Sequence, residues 1–249
     1  MFIISPLAGY IFNILDYESS SSLTDFSIVD KGPLYGLYFS YMQKGFIFGG
    51  LHHDARLEHS EVTGNLLYVH YYFNHKKRIQ PTVGINLEKI LIYSKVNRSG
   101  PYTSVNIRNN IIAVNPVCGI TTKWDYMKMG TTIFVTPFMG YFQERVNTGI
   151  ISPGMAVNGQ LLNGFESNEL NRLDFTVLGV KIRVHYMPYI LLKSKIYFRL
   201  KHDQKTLYTL RNELSVYMRQ NIGIMLKYDY FLDTYNTNRF YFIGPLFIF

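Results

Sequence analysis

At 249 residues the chain has room for one or two soluble domains, yet 47% of it is hydrophobic and only 17% charged, against roughly 25% charged in ordinary soluble domains. No run approaches the ~18 consecutive apolar residues of a membrane helix, which excludes a helical membrane protein, and so apolar a chain is not a disordered one. The net charge of +8 favours anionic lipids and anionic solutes as partners. Nucleic acid is not expected, because no helix-turn-helix, zinc-finger spacing or aromatic-basic RNA motif is present.

Aromatic residues make up 16% of the chain, with 21 Tyr and 18 Phe, while only four alanines occur (Ala8, Ala55, Ala113, Ala156). Ala is the strongest helix former and aromatics favour strands, so the composition points to an all-β fold. The single cysteine, Cys118, cannot form an intrachain bridge. Residues 1–15 lack the basic start and cleavage site of a secretory signal, so an exported form of this chain is expected to be mature.

Taken in chain order, alternation with period two and intervening turn signals predict about 12 strands, at 2–15, 34–43, 46–58, 66–76, 82–96, 110–125, 131–145, 173–187, 189–202, 206–219, 222–233 and 239–249. In the fourth, Tyr68, His70, Tyr72, Asn74 and Lys76 oppose Leu67, Val69, Tyr71 and Phe73. In the eighth, Lys181, Arg183 and His185 oppose Val180, Ile182, Val184 and Tyr186. The ninth is the clearest, with Lys193, Lys195, Tyr197, Arg199 and Lys201 on one face and Ile190, Leu192, Ile196, Phe198 and Leu200 on the other. The first, seventh and twelfth alternate poorly, and Pro6, Pro116, Pro137 and Pro245 fall inside strands, so eight or ten strands are the alternative counts.

Short connections (Lys44-Gly45, Lys77 to Pro81, Met127 to Gly130, Pro188, Gln220-Asn221) take turns with longer polar ones (16–33, 59–65, 97–109, 146–172, 234–238). That asymmetry belongs to transmembrane barrels, with tight periplasmic turns and extended external loops. The last strand ends on Phe249, with Phe247, Ile243 and Tyr241 on the same side. Here the chain resembles the bacterial outer-membrane β-barrel proteins, whose C-terminal aromatic strand is an assembly signal. The resemblance implies one barrel domain over 1–249 in the outer membrane, monomeric, and recognised by the barrel-assembly machinery through Phe249, Phe247 and Tyr241.

A 12-stranded barrel is expected to be too wide to fill with side chains alone, so the polar faces are assigned to a wet lumen. Its expected lining is Lys181, Arg183, Lys193, Lys195, Arg199, Lys201, Arg211 and Arg219, a basic wall opposed by few acids, with His52, Asp54, Arg56 and Glu58 as a mixed cluster across from it. The reading is a passive channel for small polar or anionic solutes. The alternatives are a lipid-modifying barrel enzyme and a structural or adhesive barrel that binds partners through its loops. No cofactor, metal site or catalytic residue is assigned. Imidazoles and carboxylates at spacing two in 52–60 suggest a metal, but Arg56 among them repels a cation. The outer-membrane lipases place a His two residues before a Ser, whereas His59 and Ser60 are adjacent and point to opposite faces. The 146–172 segment, with Gly149, Gly154, Gly159 and Gly164, is expected to be an external loop able to fold into the lumen. Tyr35, Tyr93, Tyr126, Tyr141, Tyr186, Tyr189, Tyr235 and Tyr241 suit interfacial girdles.

Overall fold

A computed structural model describes residues 1–17, 26–97, 104–126, 130–152, 155–157, 160–162, 165–186, 189–201, 206–219, 221–232 and 236–249. Twelve strands close a single antiparallel up-and-down barrel. In chain order they are β1 (Phe2–Tyr17), β2 (Phe26–Gln43), β3 (Phe46–Arg56), β4 (Ser60–Tyr72), β5 (Ile79–Asn97), β6 (Ser104–Tyr126) and β7 (Thr131–Ser152), then β10 (Phe165–Tyr186), β11 (Ile190–Leu200), β12 (Leu207–Arg219), β13 (Ile222–Leu232) and β14 (Asn236–Ile248). Between β7 and β10 a separate small hairpin pairs β8 (Met155–Val157) with β9 (Gln160–Leu162). The barrel closes where β1 meets β14, and Phe2 and Phe249 exchange backbone hydrogen bonds at 2.9 and 2.8 Å.

Each of the 12 expected strands has its counterpart, but several boundaries shift. β2 starts at Phe26 rather than 34, and β4 runs from Ser60 rather than 66 and stops at Tyr72. The largest correction concerns 146–172. Residues 146–152 and 165–172 pair with each other as continuations of β7 and β10, from Arg145↔Arg172 to Ser152↔Phe165. The segment is therefore a strand extension carrying a hairpin, not a loop in the lumen. A strand beyond the bilayer has water on both sides and needs no apolar face, so alternation could not reveal it.

The turn at Lys44-Gly45 joins directly opposed Gln43 and Phe46, with φ of 46° and 84° at the two turn residues. Both values are positive, as a two-residue hairpin matched to strand twist requires. Pro6, Pro116, Pro137 and Pro245 all point outward. Pairing lapses beside them: the β1–β14 ladder jumps from Ile4↔Phe247 to Ala8↔Ile243, passing Pro6 and Pro245. At these lapses the neighbouring strand offers a glycine. A Cβ on Gly244 would lie 2.0 Å from the Pro6 carbonyl oxygen, on Gly140 2.3 Å from that of Pro116, and on Gly119 2.4 Å from that of Pro137. Only a residue without a Cβ tolerates such an approach.

The outer surface is apolar through a central belt that includes Leu67, Ile85, Leu87, Leu178, Ile182, Leu192, Ile196, Ile224, Leu226 and Ile243, all exposed. Exposed tyrosines stand toward its margins, Tyr126, Tyr186 and Tyr189 at the tight-turn end and Tyr35, Tyr93 and Tyr141 toward the other. Tyr235 lies outside the described residues. No helix long and apolar enough to cross a membrane occurs among the described residues.

The interior departs from the expectation of an open wet lumen. Toward the ends of the strands away from the tight turns, Ile11, Leu34, Ala55, Val62, Ile92 and Phe240 belong to one buried apolar cluster, and Phe142, Phe175, Val177 and Leu207 to another. Leu34, Ala55, Val62 and Ile92 lie directly opposite one another across four consecutive strands. Large side chains meeting from several strands narrow a barrel that its strand number alone would leave open.

Candidate functional site

The polar part of the interior is built on β10, β11, β12 and β13, where odd-numbered residues face inward. Lys181, Arg183, Lys193, Lys195, Arg199 and Arg211 all lie on this face, as their burial and the exposure of Ile182, Ile196 and Phe198 establish. Lys201 follows the end of β11 and is half-buried. The side chain of Arg219 lies outside the described residues.

The basic wall is far better neutralised than its sequence suggests, because partners arrive from distant strands. Arg211 donates from one guanidinium nitrogen to both oxygens of Glu88, on β5, at 2.9 Å. Arg199 reaches Glu144 on β7 at 3.4 Å and the Leu232 carbonyl at 2.7 Å. Lys193 pairs with Glu213 at 2.5 Å and donates to the Tyr38 hydroxyl of β2 at 3.4 Å. Lys227 pairs with Asp229. Lys181 donates to the Tyr72 hydroxyl of β4 at 3.2 Å. These contacts brace β10–β12 against β2, β4 and β5 through the lumen.

Below the apolar clusters lies a cavity of about 120 Å³ walled by Tyr38, Tyr68, His70, Asn86, Lys181, Arg183, Lys193, Lys195, Arg211, Glu213, Lys227 and Asp229, among others. Six cations thus face the cavity; Glu213, Asp229 and, through Arg211, Glu88 are their carboxylate partners. Aromatic faces hold several of the cations. Arg183 stands 4.8 Å from the Tyr72 ring and 4.5 Å from Phe134, and Lys195 stands 5.0 Å from Phe138 and 4.8 Å from Tyr197. Such contacts stabilise a desolvated cation without cancelling its charge.

The expected cluster on β3 is inverted. His53 is buried, 8% exposed, whereas His52, Asp54 and Arg56 face outward near the end of the strand, and Glu58 sits exposed in the connection to β4. They line no lumen and form no counter-wall. His52 instead bonds Asn65 at 2.8 Å and Asp54 at 2.9 Å on the outer surface. The run Phe46-Ile-Phe-Gly-Gly-Leu51 hides the phase of this strand, and outward polar groups are natural where a strand leaves the bilayer. His70 faces inward, so His52 and His70 lie on opposite sides of the wall and cannot share a metal. Ser60 is buried and bonded to Ser94 at 2.9 Å, not to an imidazole.

Sequence reasoning missed Glu88, Glu144, Lys227 and Asp229. Alternation on β13, with Lys227 and Asp229 opposite Leu226 and Tyr228, carried a usable signal; the cross-lumen partners carried none. Inward Asp30 was also missed: it accepts the backbone N–H groups of Glu58 at 3.2 Å and His59 at 3.0 Å and so pins the β3–β4 connection.

Comparison with solved structures fits this geometry. The translocator domain of the autotransporter NalP from Neisseria meningitidis superposes with a TM-score of 0.56 at 9% identity, over 100% of this chain and 88% of that one. The β domain of the Bordetella autotransporter BrkA gives 0.51 at 13% identity, over 98% of each chain. The fold is that of the bacterial outer-membrane β-barrels. The apolar outer belt is the surface that such a barrel presents to lipid. No protein-family model matches the sequence, and no curated protein does.

Proposed function

We propose that this outer-membrane barrel passes small anions through a narrow, internally braced lumen and acts as a monomer. The observation that carries the reading is the surplus of inward cations: six face the cavity with three carboxylates to balance them. A positive, partly desolvated wall attracts anions and repels cations at close range. In a planar bilayer under a salt gradient, the reversal potential is expected to favour chloride over potassium, with a small unitary conductance. Replacing both Glu88 and Arg211 with Gln removes the β5–β12 brace and is expected to raise that conductance. A flat trace, or cation preference in the unmodified protein, overturns the reading.

A second reading draws on the apolar packing at the far end of the lumen and on the length of β6, β7 and β10, at 23, 22 and 22 residues. A spanning strand needs only about ten. These strands extend well beyond a bilayer and give a non-conducting barrel a raised wall on which a partner protein would dock.

Assembly belongs to the same proposal. Tyr241, Phe247 and Phe249 share the outward face of the last strand, and Phe249 is among the most exposed large apolar residues at 76%. A receptor that reads this strand before closure would find these rings in a row. Deleting Phe249 is expected to lower the amount inserted in cells while leaving refolding into detergent little changed; equal insertion of both forms would count against it.

A further inference from the structure

We infer that the cavity in the lumen is a binding site for one small multivalent oxyanion of the phosphate type, held by Lys181, Arg183 and Lys195. The inference deepens the anion reading above and rests on the lumen admitting such ions.

Register supplies the first step. Lys181 lies directly opposite Lys195, and Lys195 directly opposite Arg211, so three cations form one row across β10, β11 and β12. The next row sets Arg183 opposite Lys193 and Lys193 opposite Glu213. Like charges directly opposed on adjacent strands destabilise a sheet, and more so away from bulk water. Glu88 compensates Arg211 and Glu213 compensates Lys193. For Lys181, Arg183 and Lys195 no carboxylate lies within ion-pair distance among the described residues. Their neighbours are a tyrosine hydroxyl and aromatic faces.

The second step is independent of register. Arg183 is 5% exposed, it lines the cavity, and its Nε has no protein hydrogen-bond partner. A buried donor without a partner costs about 1–3 kcal/mol, and more when charged, so its presence beside a cavity calls for an acceptor. Lys181 and Lys195 also wall a smaller recess with His70 and Tyr72, and the three residues His70, Lys181 and Lys195 line both spaces. The cavity accommodates a phosphate-sized ion and a few waters.

Charge decides the ligand class. A monovalent ion would neutralise one of three cations and leave two repelling. A doubly charged tetrahedral oxyanion presents enough acceptor oxygens for two ammonium groups and one planar guanidinium, each bond charge-assisted. The rings behind Arg183 and Lys195 restrict the cations to positions facing the cavity, which lowers the ordering cost of binding.

The test is calorimetric titration of inorganic phosphate into the folded protein in a lipid-free, uncharged detergent at fixed ionic strength in chloride, together with the thermal unfolding midpoint. The expected result is saturable one-site binding and a raised midpoint, since a ligand bound only to the folded state stabilises it. Lys181→Gln with Lys195→Gln is expected to weaken binding at least tenfold. Without phosphate that variant should unfold no earlier than the parent, because a repulsive pair has gone, and this separates lost binding from lost folding. Lys89→Gln, on the outer face, should bind as the parent does. Absence of saturable binding, unchanged binding in the double variant, or a response to anionic phospholipid micelles alone would each overturn the site. Binding without conductance would sink the channel reading and leave the site standing; conductance without binding would do the reverse.

Discussion

Glu88 and Arg211 are separated by 123 residues in the chain and, the shorter way around the barrel, by four intervening strands, yet each gives the other its charge partner. Their side chains are 15% and 14% exposed, so neither charge is fully hydrated. Glu88→Ala leaves a buried guanidinium unpaired and is expected to cost about 3–5 kcal/mol. Replacing both with Leu and Met should recover most of that loss, because the desolvation of both ions disappears with them. Urea unfolding of the two single variants and the double variant, read as a thermodynamic cycle, checks it; a double variant as unstable as Glu88→Ala would contradict it. At this scale the sequence was half legible. Parity placed Lys193, Lys195 and Arg211 inward, because each lies in a strand with clean alternation. It could not supply their partners, since nothing local in β12 marks Glu88, and it put His52 and Asp54 on the wrong side because polar was equated with inward beyond the bilayer.

Whole strands were easier to read than their ends. Period two is clear in most strands, and turn chemistry brackets the first, seventh and twelfth, where alternation is poor, so 12 strands are legible even with four prolines in the way. The prolines looked like evidence against the count because a missing N–H weakens a ladder. The structure reconciles them by turning each outward and letting the opposed backbone close in on a glycine, most tightly where Gly244 faces Pro6. This is the closing seam, so its packing bears on whether the barrel shuts. Gly244→Val places side-chain atoms where the Pro6 carbonyl stands and is expected to cost about 1–3 kcal/mol or more by overpacking. Faster hydrogen exchange confined to β1 and β14 is the expected signature. Exchange that rises uniformly around the barrel, or not at all, would show that the lapse in pairing at Pro6 and Pro245 already absorbs the insertion.

For the molecule as a whole, the decisive property is which side of the wall is dry. Composition could not say, because a soluble barrel and a membrane barrel share the same alternation. The structure has apolar residues on both sides: Ile196 and Phe198 outside at 37% and 41% exposed, and Leu34 and Ile92 inside at 0% and 2%. A soluble protein would pay heavily for the outer set, since contiguous apolar patches beyond a few hundred Å² are rare on soluble monomers. Lipid removes that cost and replaces it with a penalty for charge. Ile196→Arg, in the middle of β11 and of the apolar belt, is therefore expected to destabilise the barrel by about 2–4 kcal/mol in vesicles. The same substitution at Tyr189, at the tight-turn margin, should cost about 0–1 kcal/mol, because depth sets the penalty. Unfolding measured in lipid vesicles gives both values. A soluble barrel would tolerate the two arginines equally or gain solubility from either, so equal costs would contradict the membrane reading of the outer surface.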